Sequence, residues 1–98
     1  MPGSSNINEK QAFPLPVRVF GRPDSTETLH TRERLRELQI PFTETNVETD
    51  DSAARFVERI NHGARTTPTI VFGDQDFIIV EPTDLELIRA LRRAGYEV

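Results

Sequence analysis

The chain has 98 residues, 36% hydrophobic and 29% charged, with a formal net charge of −4, a balance that suits one folded domain and falls short of the disorder regime. Its 12 basic residues against 16 acidic ones argue against the electrostatics of a nucleic-acid module, and no apolar run approaches the roughly 20 residues of a membrane helix. Cysteine is absent, which excludes disulfides, thiolate metal sites and any cysteine nucleophile, and His30 and His62 have no metal-ligand spacing around them.

Residues 1–13 show no period and are rich in small polar groups, so they read as a mobile N-terminal tail, in part a cloning remnant, ahead of a domain over 14–98. No basic segment leads into an apolar core there, and a cytoplasmic protein is the default expectation. Pro14 and Pro16 bracket the entry to a first strand, Val17 to Phe20. A helix is expected from about Ser25 to Leu38, with Thr28, Thr31, Leu35 and Leu38 on one face, Arg32, Glu33 and Arg36 on the solvated face, and Leu29 outside the apolar stripe. Its start reads as a D-x-x-E capping box, with Asp24 as N-cap and Glu27 as its partner, or Ser25 serving instead.

"FTETNV", Phe42 to Val47, alternates like an edge strand. A second helix follows, with Ala53, Phe56, Val57 and Ile60 as its stripe, Asp50 and Asp51 at the positive end of its dipole, and Gly63 as its stop. "TIVF" and "FIIV" flank "GDQD", a hairpin signal. After Pro82, Thr83 and Glu86 form a capping box for a last helix, with Leu85, Leu87, Ile88 and Leu91 expected to face inward. The order β-α-β-α-β-β-α implies a parallel, right-handed first pair of strands and an antiparallel last pair. It gives an α/β fold with a four-stranded mixed sheet and helices on both faces.

That order is the small thioredoxin fold, and three stretches give the chain a resemblance to the glutaredoxins from about Val17 to Leu91. "VRVFGRPDSTETLHTRERLRELQIPFTETNV" is similar to the family's strand, active-site loop, helix and second strand. "INHGARTTPTIVFGDQ" resembles its Arg-Thr-Val-Pro loop running into an apolar strand, and is the most specific of the three. "VEPTDLELIRAL" resembles the segment with Ser/Thr-Asp and the final helix. The departure lies in the chemistry: the family's Cys-Pro-Tyr-Cys falls on Ser25-Thr26-Glu27-Thr28. Thiol–disulfide exchange needs a thiolate and a sulfur acceptor, and a serine at a helix start supplies neither. An engineered knock-out would usually spare the intervening pair, so a natural redox-inactive branch is the expectation, with engineering as the alternative.

The resemblance implies a glutathione-like site made by Arg22, Ser25, Thr28, Arg65, Thr67, Pro68, Thr83 and Asp84. Arg22 and Arg65 would supply positive charge. Thr67 would offer backbone beside Pro68, the counterpart of the family's cis-proline. Thr83 would offer free N–H groups to a carboxylate, and Asp84 would take an ammonium. Each also has a plainer reading: the threonine as a helix cap, the arginines as solvated charges, the proline as a strand-entry turn. Glu27 and Glu81 work against an anionic ligand. The expected function is a redox-inactive module, leaning away from an enzyme, with no cofactor unless glutathione. It would bind glutathione, a peptide or a partner protein at the old cleft, and neither nucleic acid nor membrane. The alternative is a transferase-type enzyme using Ser25 to stabilise the thiolate of bound glutathione, although the chain has no room for the second, helical domain such enzymes carry.

Overall fold

The structure is a computed structural model and describes residues 13–98. The tail expected over 1–13 therefore lies outside the described residues except for Phe13, whose side chain is 63% exposed. The elements are β1 (Val17–Gly21), α1 (Thr26–Glu37), β2 (Thr43–Asn46), α2 (Asp51–Ile60), β3 (Thr69–Phe72), β4 (Phe77–Val80) and α3 (Asp84–Arg93). They form one sheet in the order β2-β1-β3-β4. β1 runs parallel to β2 and antiparallel to β3, and β3 pairs antiparallel with β4. This is the expected element order, with β2 and β4 as the open edges.

The period of two along the strands divides the core into two layers. Val17 and Val19 of β1 and Ile70 and Phe72 of β3 pack with Leu35 of α1 and with Leu87 and Leu91 of α3. On the other side of the sheet, Phe20 and Val71 pack with Ala53, Ala54 and Val57 of α2. β3 is buried along its whole length, which explains why "TIVF" reads as an apolar run rather than an alternating one. Among the described residues no helix is long and apolar enough to cross a membrane.

Both later helix starts follow the sequence. Asp50 caps α2 by accepting from the Ala53 N–H at 3.0 Å. Thr83 caps α3 in a full capping box: its Oγ1 accepts from Glu86 N–H at 3.1 Å, and Glu86 Oε1 accepts from Thr83 N–H at 2.8 Å. At the end of α2 the left-handed turn begins one residue before the expected stop: His62 has φ 56° and Gly63 φ 97°. The Gly63 N–H then donates to Glu58 O at 2.7 Å, satisfying an end carbonyl.

One expected core residue faces out. Leu85 is 56% exposed. With Asp84 as the first helical residue, Leu85 stands roughly 200° around the helix from Leu87. The buried face is instead Leu87, Ala90 and Leu91, continued by Ala94. Leu85→Ala is therefore expected to change stability by less than about 0.5 kcal/mol, whereas Leu87→Ala costs about 2–5 kcal/mol; urea denaturation of the two variants separates them.

The C-terminal turn is fastened to the entry of β1. Tyr96 Oη donates to Leu15 O at 2.7 Å, and Leu15 N–H donates to Ala94 O at 2.8 Å. Burial pushes the Tyr96 phenol above its ordinary value of 10.0. The unfolded chain ionises first, so this contribution to stability is complete below about pH 10 and is lost as pH rises through the folded value. Tyr96 is the one tyrosine of the chain. Its phenolate absorbance should rise at a higher pH in the native protein than in the urea-unfolded chain, and coincident curves would contradict the burial.

Candidate functional site

The segment that joins β1 to α1 is set by its own turn chemistry. Ser25 N–H donates to Arg22 O at 3.0 Å, closing a turn over Pro23 and Asp24, with proline at the position that suits its fixed φ. Ser25 leaves that turn extended, at φ −77° and ψ 130°, and becomes the N-cap of α1. Its Oγ accepts from Thr28 N–H at 3.3 Å and donates to Glu27 Oε1 at 3.2 Å. The sequence-based preference for Asp24 as the cap is thereby corrected: Asp24 is exposed in the turn, one residue too early to reach the first amides of α1.

Thr28, at the family's second cysteine position, is fully buried. Its Oγ1 accepts from Arg22 N–H at 3.4 Å. Its side chain fills the space where Gly21 has none: a Cβ on Gly21 would meet Thr28 Cγ2 at 2.5 Å and Oγ1 at 2.8 Å. A β-branched, buried threonine has little freedom to retreat.

Opposite the start of α1 lies the loop before β3. Asn61 Nδ2 donates to Val57 O at 2.9 Å and to Thr69 Oγ1 at 3.2 Å, and Thr69 Oγ1 donates to Thr66 O at 2.9 Å. The Thr67–Pro68 peptide bond is cis, and Pro68 O accepts from Glu81 N–H at 2.9 Å, tying this loop to the end of β4. Between these walls is a cleft of about 230 Å³. Thr26, Glu27, His30 and Thr31 of α1 form one side, and Pro68, Glu81 and Pro82 the other. Larger but more open hollows lie along β4 and α3, at about 380 Å³, and beneath the strand starts around Pro14, Pro41 and Tyr96, at about 550 Å³.

Of the expected site residues, Pro68 lines the cleft; Ser25 and Thr28 adjoin Thr26 and Glu27 in sequence but are not in the lining, and Thr83 and Asp84 follow directly on Pro82. Thr67 is 3% exposed, and its Oγ1 is the one buried side-chain polar atom without a hydrogen-bond partner among the described residues. The Thr83 N–H is taken by Glu86 rather than free. Asp84 Oδ1 stands 2.9 Å from His30 Nε2, which bridges α3 to α1. The two arginines do not line the cleft. Arg22 is exposed beside it. Arg65 Nε donates to Glu58 Oε2 at 2.6 Å, and this bond and charge raise the pKa of the guanidinium above its ordinary value.

Sequence reasoning gave no place in the site to Thr26, Thr31, Pro82 or the His30–Asp84 contact. Thr26 and His30 are one helical turn apart, a spacing that puts them on one face. Asp84 lies 54 residues away, and only the fold brings it there.

A parallel first pair of strands, a hairpin, helices on both faces and a cis-proline opposite a helix start define a thioredoxin-like protein. The glutaredoxin family model matches residues 18–78, and the chain belongs to the glutaredoxin family. No curated protein matches it. Among solved structures, the thioredoxin-like protein BC3987 superimposes with a TM-score of 0.56 at 24% identity, over 76% of this chain and 97% of that one. A mutant of the same protein gives 0.59 at 22% identity, over 78% and 97%. Actin interacting protein 5 gives 0.53 at 26% identity, over 79% of this chain and 82% of that one.

The packing of Thr28 on Gly21 yields a direct test. Gly21→Ala should destabilise the fold by about 1–3 kcal/mol, the ordinary cost of overpacking. Adding Thr28→Ala should recover part of that loss, because it removes both of the closest atoms. Strictly additive losses in denaturant titrations of the single and double variants would contradict the contact.

Proposed function

We propose that this chain is a redox-inactive glutaredoxin-family module that binds a peptide, a partner protein or glutathione at the cleft beside Pro68. The observation that carries the reading is the use made of the two former sulfur positions. Ser25 commits its hydroxyl to the helix start and to Glu27, and Thr28 is a core residue locked against Gly21. Neither is a nucleophile in waiting, and thiol–disulfide exchange has no cysteine of the chain to use. The cleft opposite them nevertheless retains its cis-proline wall. The likeness to Actin interacting protein 5, a protein named for binding another protein, favours a macromolecular ligand.

The transferase reading is the weaker of the two. A serine that stabilises a bound thiolate must aim its O–H at the ligand, and the Ser25 O–H is directed to Glu27. A cytoplasmic setting is part of the proposal: small secreted domains commonly lean on disulfides, and this chain can form none.

The test is a glutathione titration of the nitrogen-15-labelled protein, run beside a glutathione-coupled disulfide reduction assay. No turnover above the uncatalysed rate is expected, and sustained turnover by the pure chain would overturn redox inactivity. Saturable shifts at Ser25, Thr67 and Thr83 would identify glutathione as a ligand. Their absence up to high millimolar concentration would remove glutathione and leave a peptide or protein.

A further inference from the structure

We infer that the cleft takes the side chain of a lysine or arginine from an extended polypeptide segment, and discriminates against anionic ligands. This rests on the reading of the cleft as a binding site and names its ligand class. Three observations combine. The first is size. At about 230 Å³ the cleft is smaller than the roughly 300–1,000 Å³ of pockets that engulf a whole small molecule, and it suits one long side chain whose main chain stays outside.

The second is the division of its lining. Pro68 and Pro82 offer an apolar surface for a methylene stem, while Glu27 from α1 and Glu81 from the other wall are the acidic residues of the same lining. Long basic side chains are built in this way, an apolar stem ending in a charged head. Glu81 enters no salt bridge among the described residues. Glu27 is bonded only to the neutral Ser25 hydroxyl and, apart from the α1 dipole at whose positive end it stands, enters no salt bridge among the described residues.

The third is the disposition of the cations. Neither Arg22 nor Arg65 stands in the lining to favour an anionic ligand. Arg65 is instead held by Glu58, and Arg22 stands outside the cleft. His30, the one lining residue able to carry positive charge, is engaged by Asp84. The acidic side chains of the lining are Glu27 and Glu81.

The experiment uses three pools of short, end-blocked peptides, random at the flanking positions and fixed at the centre as lysine, glutamate or norleucine. Each pool is titrated into the labelled full chain, as is glutathione. The lysine pool is expected to shift the amides of Thr26, His30, Thr31 and Glu81 with an apparent affinity about tenfold above the glutamate pool, the equivalent of about 1.4 kcal/mol. That is the scale of two partly solvated ion pairs. In Glu27→Gln/Glu81→Gln, which keeps the Ser25 acceptor and the side-chain volumes, the ratio should fall to within about threefold, with the spectrum otherwise native.

Equal or tighter binding of the glutamate pool or glutathione at the same amides would overturn the charge assignment while leaving the cleft a binding site. A lysine preference unchanged in the double variant would overturn it too. If no pool and no glutathione moves the cleft amides, the binding reading itself fails and this inference with it.

Discussion

Everything at the former active site depends on how closely α1 approaches the end of β1. Gly21 has no side chain because Thr28 occupies the space one would need. This contact brings the first turn of α1 against the sheet and sets the height of Ser25, Thr26 and Glu27 above Pro68. A hydroxyl then takes the place of sulfur in two different ways. At Ser25 it serves the exposed backbone amides of the helix start, and at Thr28 it is folded into the core with one weak acceptor role toward Arg22 N–H. The same two positions that would hold a reactive pair have become a cap and a packing residue.

The opposite wall is held by a separate network. Asn61 joins the end of α2 to Thr69, Thr69 closes onto Thr66, and Glu81 fastens Pro68 to the end of β4. Glu81 does this at φ 45°, a left-handed conformation that a residue with a side chain adopts at some energetic cost. His30 and Asp84 then connect the two walls at the surface. The cleft is thus the gap between two units that are each held by their own contacts.

Much of this was legible in the sequence, because it depends on short-range rules. The strands, the hairpin, the capping box at Thr83 and the buried face of α1 all follow from period and cap chemistry. So did the loss of sulfur, which is a matter of composition. The misreadings have local physical causes. Asp24 and Ser25 are both good caps, and the choice was made by a turn over Pro23 that fixed which of them would be extended. Leu85 belongs to an apolar cluster in sequence, but its angle around α3 depends on the helix beginning at Asp84. The pairing of His30 with Asp84 and the capture of Arg65 by Glu58 could not be read at all. Each joins residues from different elements, and the family pattern pointed both Arg65 and Asp84 toward a ligand.

The exchange of sulfur for oxygen at the start of α1 also has a consequence for where the domain can work. A thiol pair makes the shape of such a loop answer to the oxidation potential around it. A loop capped by Ser25 and packed by Thr28 has no oxidised form to adopt, so its geometry is the same in a reducing compartment and under oxidative stress. A shift in the thiol–disulfide balance around the domain finds no cysteine in the chain on which to act.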